Sequence, residues 1–143
     1  MAEALPKKIL MVEDDEMMRI LFRDTFWIYG NADSKVEVAT VTSVKKAKEY
    51  LADKKNPRPD IIFLGLALLT PAEDGIVVRE TKPSLEFIQE LRKTKEFEKI
   101  PIIVYSRFSE NELKEKAKEA GADHYVVKGE LAPKEIIDFV QQL

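Results

Sequence analysis

The sequence predicts an α/β domain in which five strand–helix units build one parallel sheet with helices on both faces. Two observations carry this. Short apolar runs ending at Val12, Val41, Leu64, Tyr105 and Val127 alternate with segments whose apolar residues recur every three or four positions. Most of these runs are continuous, the mark of strands covered on both faces. Strands that alternate with helices imply a parallel sheet with right-handed crossovers. The sheet order 2-1-3-4-5 is the natural choice for such an open sheet.

Each element has its own warrant. Ile9 to Val12 is an unbroken apolar strand. Asp15 to Tyr29 reads as a helix with Met18, Leu21, Phe22, Phe26 and Tyr29 on its inner side, and Gly30-Asn31 stops it. Val36 to Val41 alternates as a strand. Thr42-Ser43 can cap a helix through Leu51, with Val44, Ala47 and Leu51 on one face. Pro57-Arg58-Pro59 turns the chain into the strand Asp60 to Leu64. Leu66 to Lys82 has no helical period and carries Pro71 and Gly75. Connections in such folds usually run about two to six residues, so a segment this long is expected to act as a lid. Its anchors should be Leu68, Leu69, Ile76 and Val77, because exposed apolar side chains at that density are unfavourable. Pro83-Ser84 opens a helix through Leu85, Ile88, Leu91 and Arg92. Ile100 to Tyr105 is the fourth strand. Ser109 to Glu112 has the pattern of a capping box, for a helix that Gly121 ends. Asp123 to Val127 is the last strand, and Pro133 starts a final helix to Leu143.

At 143 residues the chain is read as one domain, 1–143, with no effector domain after Leu143. The net charge of −3 argues against an electrostatic grip on nucleic acid. Zero cysteines exclude disulfides and thiolate metal sites, and are compatible with a reducing cytoplasm. The first apolar run is short and leads straight into acids, unlike a signal peptide. The longest apolar stretch, Ile61 to Leu69, is too short to cross a bilayer. The expectation is a soluble cytoplasmic domain with no membrane partner.

In open α/β sheets ligands bind beyond the carboxyl ends of the strands. The first strand runs into Glu13-Asp14-Asp15, the fourth into Ser106 and the fifth into Lys128. The third ends at Gly65. Acids, a hydroxyl and an ammonium therefore surround one crevice whose centre has no side chain. Adjacent acids at a strand end are costly unless a cation sits between them. Such a set suits a divalent ion and a phosphoryl group, which needs cations and donors on its oxygens.

These residues resemble the receiver domains of two-component response regulators, of the chemotaxis-regulator type. The resemblance covers essentially the whole chain. It rests on Ile9-Leu10-Met11-Val12-Glu13-Asp14-Asp15, Pro59-Asp60-Ile61-Ile62-Phe63-Leu64, Pro101 to Ser106, and Gly121-Ala122-Asp123-His124-Tyr125-Val126-Val127-Lys128, in that order. It implies a flavodoxin-like (βα)5 three-layer fold and a role in phosphorelay signal transduction. It implies that Glu13 and Asp14 hold Mg²⁺ and that Lys128 pairs with the phosphoryl group. Ser106 resembles the hydroxyl that turns toward that group, and Tyr125 the aromatic that swings inward with it. The implied partner is a histidine kinase or another signalling protein. It would dock on the α4–β5–α5 face of the five-unit count, Glu110 to Leu143.

Departures from the pattern matter as much. The family's acceptor aspartate lies six residues after the proline that opens the third strand, and six after Pro59 is Gly65. Glycine has no nucleophile, and Asp60 sits at the opposite end of the strand. The chain thus reads as an acceptor-less receiver, not an enzyme, with natural loss and an engineered Asp-to-Gly change both open. With one anionic ligand gone, Mg²⁺ binding should be weak or absent, with Lys128 or Arg107 neutralising the acid pair. Arg107 follows Ser106 where the family usually has a small residue. Gly129 follows Lys128 where it usually has proline. The loop after Gly65 is longer than the family's usual form, and its Glu73 and Asp74 are candidates to approach the crevice. The competing class is a Mg²⁺-dependent phosphohydrolase on a similar sheet, with Asp14 or Asp15 as nucleophile and Ser106 and Lys128 as helpers.

Overall fold

The computed structural model describes residues 7–29, 36–71, 75 and 77–143. Its elements are β1 (Lys7–Val12), α1 (Glu16–Tyr29), β2 (Val36–Val41), α2 (Val44–Ala52), β3 (Ile61–Leu64), β4 (Leu68–Pro71), β5 (Val77–Glu80), α3 (Lys82–Lys93), β6 (Ile102–Ser106), α4 (Asn111–Ala120), β7 (His124–Val127) and α5 (Pro133–Gln141). Five strands form one sheet in the order β2-β1-β3-β6-β7, every neighbouring pair parallel. Setting β4 and β5 aside, this is the 2-1-3-4-5 order expected from the sequence.

Strand alternation divides the core in two. Leu10, Val12, Ile62, Leu64, Ile102 and Val104 face a cluster completed by Ala47 of α2, Ile88 of α3 and Ala117 of α4. Ile9, Met11, Ile61, Phe63, Ile103 and Tyr105 face Phe22 and Phe26 of α1 and Ile136 and Val140 of α5. The three central strands are apolar on both faces for this reason. Edge strands β2 and β7 are only partly covered. On the second face Phe22, Phe63 and Tyr105 form an aromatic group with ring centroids 4.8–6.0 Å apart.

The long connection after Gly65 is where structure and expectation part. It holds a two-stranded antiparallel hairpin, β4 with β5, that pairs Leu68 with Glu80 and Leu69 with Arg79. Leu68 is buried as expected of an anchor. Leu69 is not an apolar anchor, because its side chain alternates outward on β4 and is exposed. Glu73, Asp74 and Ile76, like the helix stop Gly30-Asn31, lie outside the described residues.

Helix ends show two further corrections. Ser43 caps α2 through Lys46 N–H at 3.1 Å, as read from sequence. The Ser109–Glu112 capping box does not form: α4 starts at Asn111 with Glu110 at the cap, which leaves Ser109 one residue too early. Leu21, expected inside, is exposed with Met17, Ile20, Trp27 and Ile28, while Phe22 and Phe26 face the core. An apolar stripe therefore runs along the outer side of α1.

Burial separates two aromatic substitutions. Phe63→Ala, at a side chain 1% exposed, should lower unfolding stability by about 3–5 kcal/mol. Trp27→Ala, at one 86% exposed, should stay within about 0.5 kcal/mol. Urea midpoints of the two variants test the contrast.

Candidate functional site

Ladder hydrogen bonds continue past the strand ends and fix the crevice backbone. Glu13 N–H donates to Val41 O at 3.0 Å, Gly65 N–H to Val12 O at 2.9 Å and Lys128 N–H to Ser106 O at 2.7 Å. Glu13, Asp14, Gly65, Ser106 and Lys128 consequently line one cavity of about 270 Å³, joined by Arg79 from the hairpin. Asp60 is at the other end of the sheet, accepting Lys8 N–H at 2.8 Å.

Each acid of the pair has its own protein cation. Lys128 Nζ lies 3.1 Å from Glu13 Oε2, and the two side chains are 18% and 4% exposed. Arg79 Nη1 lies 3.3 Å from Asp14 Oδ2. The same Asp14 oxygen accepts Leu69 N–H at 2.7 Å. Asp15 turns away to cap α1, accepting Met18 N–H at 3.2 Å. Lys128 was expected to neutralise the pair, and it does so for Glu13. Arg107 lines the same cavity but does not neutralise the pair: its exposed guanidinium lies over the Phe108 ring at 5.4 Å and forms no ion pair with either acid. Arg79 takes that place because its β-hairpin register sets it opposite Leu69, directly above Asp14.

Gly65 is a close-approach position. A Cβ built there would lie 2.8 Å from Leu68 Cδ2, 3.1 Å from Glu13 Oε2 and 3.2 Å from Val12 O. Its carbonyl accepts the hydroxyl of Ser84, a fully buried side chain of α3, at 2.8 Å. Gly129 has φ of 89°, a conformation closed to the proline usual in the family.

Ser106 Oγ accepts Phe108 N–H at 3.1 Å. Tyr125 does not line the cavity. It stands behind Ser106, and its hydroxyl donates to Phe108 O at 2.7 Å. Burial raises the Tyr125 hydroxyl above its ordinary value of 10.0; a hydrogen bond with Ser106 opposes this and the charge of Glu110 adds to it. Burial, then the nearby Glu13 charge, raises Tyr105 in the same direction.

Glu13 and Asp14 are the residues that would hold a divalent ion. Among the described residues no group of three or more His, Asp or Glu side chains is placed to hold one. One oxygen of each, Glu13 Oε2 and Asp14 Oδ2, already faces a protein cation.

Three participants escaped the sequence reading: Arg79, Leu69 N–H and Ser84. A signal for the first two existed. Two short apolar runs flank Asp74-Gly75, a dipeptide that favours a hairpin turn. Ser84 gave no signal beyond its place beside Pro83.

Residues 9–141 match the model of the response regulator receiver domain. The chain is 30% identical over 129 residues to the chemotaxis protein CheY of Halobacterium salinarum, covering 87% of this chain and 86% of that one. It is 32% identical over 120 residues to the KDP operon transcriptional regulatory protein KdpE of Escherichia coli, covering 84% of this chain but only 44% of that protein's length. The Mn²⁺-bound form of response regulator Rcp1 superposes with a TM-score of 0.69 at 23% identity, covering 96% of this chain and 91% of the other, which supports the fold. The chain belongs to the response regulator receiver domain family. Its fold is the flavodoxin-like α/β fold of that family, whose members are signalling modules. Among the described residues no helix is long and apolar enough to cross a membrane.

Two measurements probe the crevice. Lys128→Ala strands the buried Glu13 carboxylate and should cost about 3 kcal/mol, most of it regained in Glu13→Gln/Lys128→Ala. A double-mutant cycle by urea unfolding reads this. The pH dependence has a definite sign. Tyr50, Tyr105 and Tyr125 are all raised in the folded chain. Their contribution is complete below the unfolded value of about 10 and is lost as pH rises through the folded values. Stability should therefore fall above pH of about 10, and Glu13→Gln should lower the Tyr105 titration while leaving it above its ordinary value.

Proposed function

We propose that this chain is a cytoplasmic receiver that acts as a signalling protein-interaction module without a phospho-acceptor. The surroundings of Gly65 carry the reading. It stands between Glu13, Asp14, Ser106 and Lys128 at the strand end where the family resemblance puts the acceptor carboxylate. Glycine supplies no nucleophile. The two remaining acids already hold protein cations, so Mg²⁺ is expected to bind weakly.

In this reading the residues that sense a phosphoryl group elsewhere in the family hold a single state. Lys128 stays on Glu13, and Tyr125 ties the loop after β6 through Phe108 O. The partner, a histidine kinase or other signalling protein, meets α4–β7–α5, the surface counted α4–β5–α5 in the five-unit numbering. That face is presented alike with or without a phosphodonor. A second docking surface is favoured by one observation of its own, the exposed stripe of Met17, Ile20, Leu21, Trp27 and Ile28 on α1. Loss of partner binding in Trp27→Ala, with binding retained in Lys118→Glu on α4, would select α1. No observation favours the phosphohydrolase, since Asp14 is held by Arg79 and Leu69 N–H and Asp15 caps a helix.

Intact-mass measurement with a small acyl phosphate and Mg²⁺ tests the missing acceptor. The native chain should take up no stable phosphate, and uptake would overturn the proposal. Gly65→Asp supplies a nucleophile and a third carboxylate together, but its Cβ meets Leu68. Gly65→Asp/Leu68→Ala should therefore accept one hydroxylamine-labile phosphate more readily than Gly65→Asp alone. Both variants should gain stability on adding Mg²⁺.

A further inference from the structure

The β4–β5 hairpin meets the crevice in three chemically distinct ways. Arg79 brings a positive charge to Asp14 Oδ2 at 3.3 Å, and its Nη1 also donates to Ala67 O at 3.1 Å. Leu69 N–H donates to the same Asp14 oxygen at 2.7 Å. Leu68 puts a buried side chain against the α-carbon of Gly65, so close that a Cβ there would lie 2.8 Å from its Cδ2. Leu69 and Arg79 are register partners, so one carboxylate oxygen grips both strands of the hairpin directly across from each other. The Asp14 side chain is 8% exposed, and a carboxylate so covered needs this compensation.

We propose that the hairpin is an intramolecular occupant of the acidic crevice, with Arg79 as its built-in cation, and that hairpin docking and divalent-cation binding at Asp14 oppose one another. A cation that coordinates Asp14 competes for the carboxylate whose Oδ2 Arg79 and Leu69 N–H share, and its charge repels the guanidinium. The hairpin's polar attachment is then weakened on both strands. Linkage makes the effect reciprocal: whatever loosens the hairpin tightens the cation by the same factor. Without metal the acid pair is thus neutralised by the chain's own cations, and metal loosens the hairpin. The inference shares with the proposed function only the assignment of Glu13 and Asp14 as the metal-facing pair.

Mn²⁺ titration by calorimetry, paired with amide hydrogen exchange at Leu69, tests it on the full chain. Arg79→Gln should bind Mn²⁺ about 5- to 150-fold more tightly than the native chain, the usual range of such couplings. Its Leu69 amide should exchange faster in the absence of metal. Arg79→Lys retains the charge and should stay within about twofold of native affinity, a rescue that a purely structural role for the guanidinium would not give. In the native chain, saturating Mn²⁺ should itself speed Leu69 exchange, an arm that needs no variant. Unchanged Mn²⁺ affinity in Arg79→Gln, or native-chain Mn²⁺ binding with Leu69 still protected, overturns the proposal. Phosphate uptake by the native chain would instead defeat the acceptor-less reading and leave this coupling measurable.

Discussion

Glu13 and Asp14 follow one another at the end of β1, and the polar architecture of the crevice answers the need to neutralise them. Two carboxylates taken largely out of water repel each other and lose solvation, a cost that several hydrogen bonds alone would not offset. The chain divides the task. Lys128 arrives from β7, across the width of β3 and β6, to serve Glu13. Arg79 arrives from a hairpin inserted after β3 to serve Asp14. Each cation depends on a separate piece of the fold for its position, so the acid pair ties together the last strand of the sheet and its longest connection.

Gly65 is the counterpart of that arrangement. With no side chain, it lets Leu68 fill the volume beside Glu13 with apolar atoms. The Ser84 hydroxyl holds the Gly65 carbonyl from α3, so the backbone is pinned although the side chain is missing. A carboxylate here would press on Leu68 and add a third negative charge beside a lysine already engaged. The absence of a side chain at 65 and the presence of the hairpin are therefore mutually consistent: the space a Cβ would need is taken by Leu68.

The sheet was legible because its signals are redundant. Ile9 to Val12, Ile61 to Leu64 and Ile102 to Tyr105 are apolar without a break, and only strands buried on both faces need that. Glu13, Asp14, Gly65, Ser106 and Lys128 were legible as one group because a parallel sheet brings all its carboxyl ends to one edge. The hairpin was missed, since its signal is one turn dipeptide, Asp74-Gly75, between short runs that follow neither helical nor continuous-strand periodicity. Leu21 misled because the apolar repeat along α1 continues around the helix, and periodicity alone does not say which apolar side faces the core. Arg107 misled for a related reason. It does line the crevice, but its guanidinium lies over Phe108 and pairs with neither acid.

Topology explains why an insertion at this one connection can reach the acids. From β1 the chain crosses to β2 on one side and then returns to β3 on the other, so the order reverses between β1 and β3. Crevices in open α/β sheets form at such reversals, because successive connections diverge to opposite faces and leave the strand ends uncovered. The segment leaving β3 starts at the rim of that gap: Gly65 N–H still bonds to Val12 O of β1. A hairpin begun three residues later needs no long reach to set Leu69 and Arg79 over Asp14. The same insertion after β6 would start one strand further from the acid pair, and one after β7 would start at the sheet edge. A self-neutralised crevice of this kind is thus most directly built from the β3–α3 connection, where the ordinary receiver has only a short loop.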